Sequence, residues 1–249
     1  MTRKSARFRF YAELNDFLPE DRRFVAFERR FELDASVKDM IEALGVPHTE
    51  VDLIVVNGRS VDWSHRVRDG DLVSVYPVFE SFDISPVIRL RPEPLRDPRF
   101  VLDGHLGQLA RYLRLLGFDT VYSNHVEDAE LAGISVGQHR ILLTRDVGLL
   151  KRRAITHGSF VRATDPEEQV VEVLQRFHLT SRVLPFTRCM NCNGRLIDVA
   201  KSEVIDQLEP DTATYYDEFR RCDACGRIYW KGSHYERLQG LIERVVRTG

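Results

Sequence analysis

Residues 140–150, RILLTRDVGLL, carry the pattern that decides the fold class of this chain. Ile141, Leu142 and Leu143 form a short continuous apolar run, which is typical of a strand covered on both faces in a parallel sheet. The run ends in Thr-Arg-Asp, which places Asp146 at the carboxyl end of the strand, where ligands bind in open α/β sheets. The pattern predicts an α/β domain with Asp146 in its site. The alternative is that Asp146 only caps the next helix.

A second strand-acid-helix unit lies in residues 99–123, RFVLDGHLGQLARYLRLLGFDTVYS. Here Asp103 follows the apolar run, and Gly104 and Gly107 let other backbone approach closely near this acid. Leucines and an alanine then recur at helical spacing, and Gly117 is placed to end the predicted helix. Asp103 is therefore a second candidate site residue.

Two further acids begin predicted helices. Asp128 lies beside Glu127 and Glu130, and acids in a first helical turn are also explained by the helix dipole. Asp165 precedes Pro166 in a complete N-cap pattern, which indicates a cap first and a metal-site residue second.

Carboxylates gathered at one end of a parallel sheet repel one another unless a divalent cation lies between them, and oxygen ligands favour Mg²⁺ or Mn²⁺. Such ions can activate water for phosphodiester cleavage. Basic residues suited to a phosphate chain surround the acids, although the arginines at 111 and 114 could instead be solvated or pair with Asp119. The set is Arg111, Arg114, Arg145, Lys151, Arg152, Arg153 and Arg162. The pattern favours a metal-dependent nuclease.

All four cysteines lie near the C-terminus in two Cys-x-x-Cys pairs, Cys189 with Cys192 and Cys222 with Cys225. Paired pairs of this kind are typical of a structural zinc site with four thiolate ligands. Two disulfides are the alternative, which a reducing cytoplasm disfavours. The long separation between the pairs leaves room for a hairpin or a short helix.

The composition describes an ordinary globular protein, with 43% hydrophobic and 30% charged residues in 249. No stretch reads as a membrane span, and the start lacks the apolar core of a signal peptide, so we expect a cytoplasmic protein without a membrane partner. A formal net charge of −2 argues against a protein that coats polyanions over its whole surface.

The N-terminal segment predicts strand, strand, helix, strand, strand, which is the order of a small β-grasp domain over about residues 5–80. Ser36 is the expected N-cap of the helix and Gly45 its C-terminal stop. Four of the ten prolines then fall in residues 85–99, which predicts an extended connector. Its arginines either contact nucleic acid or are simply solvated.

Several quoted stretches resemble the Mut-seven carboxy-terminal ribonuclease domain, a PIN-like nuclease fold with an appended zinc ribbon. These are RFVLDGHLGQLARYLRLLGFDT, RILLTRDVGLLKRR, CMNCNGRL and CDACGRIYWKGSHYERL, and the resemblance runs from about residue 98 to the end. The segment before it resembles the ubiquitin-like domain fused in front of some bacterial members. Its VVNGRSV and RDGDLVSVYP are similar to sulfur-carrier proteins, but it lacks their free Gly-Gly end, which argues against thiocarboxylate chemistry.

The resemblance implies an acidic site that falls on Asp103, Asp128 and Asp146, with Asp165 less securely placed. It implies four segments: a ubiquitin-like β-grasp domain (1–84), a linker (85–97), a PIN-like parallel-sheet nuclease (98–184), and a zinc ribbon with a C-terminal helix (185–249). The ubiquitin-like domain is a candidate for binding a protein partner.

Two functions remain open at this point. The first is an Mg²⁺- or Mn²⁺-dependent ribonuclease whose ribbon offers a stacking surface for RNA, made of Tyr229, Trp230, Lys231, His234 and Tyr235. The second is a non-catalytic adaptor that binds RNA or the ribosome through a degenerate nuclease fold. The retained acids favour the first, and the same aromatics could equally form the core of the ribbon.

Overall fold

The structure is a computed structural model that describes residues 4–77, Leu90 and residues 98–249. The described residues divide by their contacts into two compact units. One holds residues 4–77, Leu90 and 127–160, and the other holds residues 98–126 and 161–249. The expected nuclease segment is therefore shared between the units. Apart from Leu90, the connector expected over residues 85–97 lies outside the described residues.

The N-terminal part is a mixed five-stranded sheet with one α-helix. The strands are ordered β2-β1-β5-β3-β4, and β1 is parallel to β5 while the other pairs are antiparallel. This is the β-grasp arrangement that the sequence predicted. The elements are β1 (Lys4–Phe10), β2 (Phe27–Phe31), α1 (Val37–Ala43), β3 (Val51–Val56), β4 (Arg59–Val61) and β5 (Leu72–Pro77), with 3₁₀ turns at Ala12–Phe17, Glu20–Arg22 and His48–Glu50.

Local signals position the helix and the tight turn of this sheet as predicted. The Ser36 side chain accepts a hydrogen bond from the Asp39 amide at 3.1 Å, which caps α1. Gly45 follows the helix with φ +110°, a conformation that glycine adopts without strain. Asn57 and Gly58, both at positive φ, join β3 to β4.

Alternation along β1 builds the core of this part. Phe8 and Phe10 are fully buried, whereas Arg7 and Arg9 between and beside them face outward. Ile41 of α1 closes the same core from the helix side. Burial of each large apolar side chain contributes about 1.5–3 kcal/mol, so this face supplies much of the stability of the sheet.

Short parallel strands alternate with helices in the middle of the chain. In one unit, β6 (Phe100–Leu102) pairs in parallel with β7 (Thr120–Tyr122). In the other, β8 (Ile141–Thr144) pairs in parallel with β9 (Gly158–Phe160). The helices are α2 (Gly107–Leu115), α3 (Asp128–Gly137), α4 (Val147–Leu150) and α5 (Pro166–Arg176). The predicted α/β class is confirmed.

The two strands that precede Asp103 and Asp146 lie inside the fold. All residues of β6 and β8 are buried, so both strands are covered on two faces. Leu109 and Leu113 bury one stripe of α2, and Gly117 ends that helix with φ +94°. A side chain at Gly117 would meet the carbonyl oxygen of Leu184 at 2.4 Å, so both conformation and space require glycine.

The C-terminal part is a three-stranded antiparallel ribbon followed by a long helix. The strands are ordered β10-β11-β12. They are β10 (Leu196–Val199), β11 (Phe219–Cys222) and β12 (Ile228–Trp230), with α6 (Pro210–Tyr215) before β11 and α7 (Ser233–Thr248) at the end. Arg244 of α7 forms an ion pair with Glu167 of α5 at 3.0 Å, which ties the last helix to α5. In the described part of the chain, no helix has the length and apolar character needed to span a bilayer.

Candidate active site and metal centre

The four cysteines form a group whose ligand atoms all lie within 4.8 Å of one another. The Sγ atoms of Cys189 and Cys225 are 3.7 Å apart, and those of Cys192 and Cys222 are 3.4 Å apart. Sulfurs at about 2.3 Å from a tetrahedral zinc ion would be separated by roughly 3.8 Å. The separations therefore fit a four-thiolate metal site.

The surroundings of this group shift the pKa values of two of its thiols in opposite directions. Burial opposes ionisation of the Cys189 thiol, but hydrogen bonds from the Tyr229 hydroxyl and from the amides of Cys192 and Asn191 outweigh it and lower its pKa to about 7. Loss of solvent around the Cys192 thiol acts in the opposite direction and raises its pKa to about 12. Four adjacent thiolates repel one another without a cation, so a bound metal ion is what would ionise them all.

Arg114 of α2 binds the turn that carries Cys189 and Cys192. It is only 4% exposed. Its Nη1 donates to the carbonyl oxygens of Met190 at 3.2 Å and Asn191 at 2.8 Å, and its Nε donates to that of Thr120 at 2.9 Å. Burial lowers the pKa of Arg114, and the nearby cysteines act against this shift. The Arg114 guanidinium therefore joins the turn between Cys189 and Cys192 to α2 and β7.

Asn193 forms a second link, which joins the same cysteine turn to the start of β7. It adopts φ +71°, and its Oδ1 accepts from the Thr120 amide at 3.0 Å. Its Nδ2 donates to Asp119 Oδ1 at 2.8 Å, and Arg188 pairs with the same carboxylate at 3.4 Å. Asp119, which the sequence offered as a possible partner of Arg111 or Arg114, is thus also held by Asn193 and Arg188.

Asp146 is exposed, and Arg145 separates it from the end of β8. Its Oδ1 accepts hydrogen bonds from the amides of Gly148 at 2.6 Å and Leu149 at 3.3 Å, so it caps α4. The Asp146 amide itself is held by Thr144 Oγ1 at 2.9 Å. One carboxylate oxygen is fixed by the helix, and the group keeps a second oxygen with which it could bind a cation.

Asp103 follows β6 and precedes a 3₁₀ turn at Gly104–Leu106 without a side-chain capping bond to that turn. Close packing surrounds this position. The Tyr122 hydroxyl donates to the Gly104 carbonyl at 2.8 Å, and a Cβ at Gly107 would lie 2.5 Å from that hydroxyl oxygen. A side chain at position 107 would therefore have to displace the Tyr122 ring, so the close neighbour here is a side chain and not the backbone that the sequence predicted.

Asp128 is the first residue of α3, and Arg152 lies 3.4 Å from its Oδ2. Both side chains are about half exposed, at 48% and 44%, so the pair contributes little to stability. Asp165 caps α5, since its Oδ1 accepts from the amides of Glu167 at 2.9 Å and Glu168 at 3.2 Å. The cap interpretation of Asp165 is confirmed.

The acids fall into both units of the chain. Asp128 and Asp146 belong to the unit that contains the β-grasp sheet, whereas Asp103 and Asp165 belong to the unit that contains the ribbon. Their convergence on one metal ion stays a prediction.

The predicted phosphate-binding residues differ in what they present to solvent. Arg111 and Arg145 are exposed, whereas Arg114 is buried as described. Lys151 Nζ donates to the backbone carbonyl of Glu42 at 2.7 Å. Trp230 is 40% exposed, and Lys231 pairs with Glu218 at 2.5 Å.

A family model for the Mut7-C RNAse domain matches residues 98–242, more than half of the chain. This chain belongs to the Mut7-C RNAse domain family. A second model, for the Mut7-C ubiquitin domain, matches residues 3–83. No curated protein and no solved structure gave a significant match.

In this Mut7-C RNAse domain, two ribbon aromatics have structural contacts that the sequence did not indicate. The Tyr229 hydroxyl lies 3.1 Å from Cys189 Sγ, which orients that sulfur. The Tyr235 ring stacks on Phe186 with centroids 4.5 Å apart. Of the expected stacking surface, Trp230 and His234 are the exposed rings.

In the Mut7-C RNAse domain, the sequence marked Asn193 as part of the cysteine turn and Tyr229 as part of the ribbon, but it did not indicate their contacts. The Asn-Gly pair after Cys192 predicts a turn, because asparagine tolerates the left-handed conformation, but it does not predict the bonds to Asp119 and Thr120. No sequence signal pointed Tyr229 at a sulfur, since alternation in a short strand does not fix which face meets the metal.

Proposed function

We propose that this protein is a metal-dependent ribonuclease that hydrolyses RNA phosphodiester bonds. Membership of the Mut7-C RNAse domain family supports a nuclease, and the description of that family supports RNA as the substrate. The observation that carries it is that Asp103 comes directly after one fully buried parallel strand and Asp146 comes two residues after the last residue of another. That position gathers ligands in α/β sheets.

Asp103, Asp128 and Asp146 are the proposed ligands of Mg²⁺ or Mn²⁺, with Asp165 as an outer member because its N-cap pattern with Pro166 is complete and already explains the acid. Carboxylate oxygens match the preference of these ions. A divalent ion bound there would activate water and stabilise the leaving oxygen. Neutralisation of the acids by Asn would remove that binding without a large change in size.

Exposed cations supply the proposed contacts to phosphate. Arg111 and Arg145 are the strongest candidates, because both side chains are exposed. Lys151 and Lys231 are further candidates, and their ammonium groups donate to the Glu42 carbonyl and to the Glu218 carboxylate. The buried Arg114 is better explained as a structural link.

The ribbon is proposed to hold one structural zinc ion through Cys189, Cys192, Cys222 and Cys225 and to aid RNA binding through Trp230. The sulfur separations support zinc, and free thiols fit a cytoplasmic protein, where they stay reduced. The proposed segments are the ubiquitin-like domain at 1–84, the linker at 85–97, the nuclease domain at 98–184, and the ribbon with the last helix at 185–249.

A cleavage assay on labelled single-stranded and structured RNA and DNA tests the function directly. Each substrate is incubated with purified protein in Mg²⁺, Mn²⁺ or EDTA, beside the Asp146→Asn variant. We expect metal-dependent cleavage of RNA that the variant lacks. Product lengths distinguish trimming from internal cuts.

Two results would contradict the proposal. Cleavage that persists in EDTA would remove the metal, and full activity of Asp146→Asn would remove this acid from the site. The absence of cleavage under every condition would support the adaptor function, which predicts RNA binding alone.

A further inference from the structure

The segment that follows Asp146 is held by the ubiquitin-like domain through three polar contacts. Lys151 Nζ donates to the Glu42 carbonyl at 2.7 Å, His48 Nε2 lies 2.9 Å from the Ile155 carbonyl oxygen, and the Phe160 amide donates to Glu50 Oε1 at 2.7 Å. All these residues belong to one compact unit. The whole path from α4 to β9 is therefore attached to residues 42–50.

Burial shows that these contacts are integral to the fold. Glu50 is 0% exposed and Thr49 is 1% exposed, although both are polar. A buried carboxylate is costly unless it accepts hydrogen bonds, and the Phe160 amide supplies one. The other ring nitrogen of His48 lies 2.6 Å from Glu42 Oε1, so both of its nitrogens have oxygen partners.

Aromatic packing adds an apolar contact at the same place. The ring of Phe17 meets the ring of Phe160 edge-on, with centroids 5.3 Å apart and an interplanar angle of 76°. Trp63 packs edge-on against His48 at 6.1 Å. Polar and apolar contacts thus coincide over one surface, as in a packed interior.

We infer that the ubiquitin-like domain is a built-in positioning element of the nuclease, with Glu50 and His48 as positioning residues for the turn that carries Asp146. The surface around residues 48–50 is covered by the chain's own segment 151–160, so it does not serve a separate protein partner. Because Asp146 caps α4, the placement of α4 sets the placement of its carboxylate. This inference rests on the proposed function of Asp146.

The test uses the full chain with Glu50→Ala and Glu50→Gln. Glutamine keeps an Oε1 acceptor for the Phe160 amide, whereas alanine removes it. The readouts are the concentration of Mg²⁺ or Mn²⁺ at half-maximal cleavage and amide hydrogen exchange over residues 151–160. We expect alanine to raise the metal requirement by about 10-fold, as loss of outer-shell partners does, and to speed exchange there. Glutamine should restore most of both.

Matched controls separate positioning from general stability. Glu20→Ala removes an exposed acid of the same domain and should leave both readouts unchanged. If Glu50→Ala does not fold, His48→Asn and His48→Gln replace it, because only glutamine is long enough to reach the Ile155 carbonyl. Asparagine should then show the defect and glutamine the rescue.

The outcomes distinguish this inference from the proposed function. If Asp146→Asn abolishes cleavage while the Glu50 and His48 variants change neither metal requirement nor exchange, the positioning role is wrong and the nuclease stands. If the wild type cleaves nothing, faster exchange over residues 151–160 in Glu50→Ala still supports the attachment, and the nuclease falls. Normal exchange in that case overturns both.

Discussion

Asp146 shows how one side chain can satisfy two interpretations of the same sequence pattern. The structure confirms that it caps α4, since its Oδ1 accepts from the Gly148 amide at 2.6 Å. A cap uses the acceptor oxygen and not the charge, whereas a cation site requires the charge. Substitutions that keep the acceptor and remove the charge therefore separate the two roles.

Asp146→Asn, and likewise Asp103→Asn, should abolish RNA cleavage and leave the melting temperature unchanged or slightly higher. Asparagine caps helices about as well as aspartate, so α4 keeps its hydrogen bonds. Loss of one charge also relieves repulsion among acids in the absence of metal. Cleavage rates in Mg²⁺ and thermal melting curves measure the two effects.

Asp165→Asn is the matched control, because Asp165 caps α5 in the same way. We expect it to retain substantial activity and an unchanged melting temperature. Equal loss of activity in Asp165→Asn and Asp146→Asn would place Asp165 among the main metal ligands. Unimpaired cleavage by Asp146→Asn would leave that residue as a cap alone.

Arg114→Met should lower the free energy of unfolding by about 3 kcal/mol, because it removes the buried donor that binds one buried and two partly buried carbonyl groups. Arg111→Met on the same helix is exposed and should change stability by at most about 0.5 kcal/mol. Urea titration measures both. Equal stability of the two variants would refute the structural role of Arg114, and weaker RNA binding is expected only for Arg111→Met.

The sequence could not have separated these two arginines. They are three residues apart on a helix, and that spacing predicts a shared face. The apolar stripe of α2 extends far enough around the helix to take in Arg114, whose acceptors come from residues 120, 190 and 191. Such partners are distant along the chain, so helical periodicity carries no information about them.

At the scale of elements, local chemistry was sufficient where it acts within a few residues. Ser36, Gly45 and Gly117 begin or end helices as predicted, because caps and positive φ depend on neighbouring backbone. The second predicted strand is present at Phe27–Phe31. The 3₁₀ turns at Ala12–Phe17 and Glu20–Arg22 were not predicted, since they have neither an apolar period nor a capping pattern.

Gly107→Ala should destabilise the α2–β7 region, because its Cβ would lie 2.5 Å from the Tyr122 hydroxyl and 2.8 Å from the ring carbon beside it. Gly133→Ala is the matched helix control, with no atom within 4 Å of the added Cβ. It should raise stability by up to about 1 kcal/mol. Denaturant midpoints compare the two variants, and a stabilising Gly107→Ala would show that Tyr122 moves aside freely.

The metal turn is the other element with a direct test. Purified protein should contain one zinc ion per chain, and Cys225→Ser should lose it. Hydrogen exchange should then increase from about residue 185 onward, while the β-grasp sheet keeps its protection, because a structural metal contributes folding free energy only to its own module. Elemental analysis that finds no zinc, or a disulfide mapped between these cysteines, would rule out the site.

At the scale of the whole molecule, the sequence predicted segments in order, and the contacts group them differently. The described buried residues of the β-grasp core lie between Ala6 and Val75, and Leu90 packs against them. Residues 127–160 nevertheless join the same compact unit. A resemblance to two consecutive families cannot reveal this grouping, since each family describes a continuous stretch of chain.

A fragment of residues 1–84 should fold and show no nuclease activity, because all the buried residues of the β-grasp core lie within it. It should melt at a lower temperature than the same sheet in the full chain, since Glu50 and His48 lose their partners in residues 151–160. Circular dichroism melts of the two proteins provide the comparison. An unfolded fragment would mean that the domain cannot exist without residues 127–160.

The alternation of the chain between two compact units also sets an order of events at the ribosome. The β-grasp sheet is synthesised first, but its unit is complete only after residue 160 has left the ribosome. Residues 98–126 belong to the same unit as residues 161–249, which are translated last. Contacts between distant parts of a chain form slowly, and exposed apolar strands aggregate while they wait. Nascent chains of this protein should therefore depend on chaperones between these two points of synthesis.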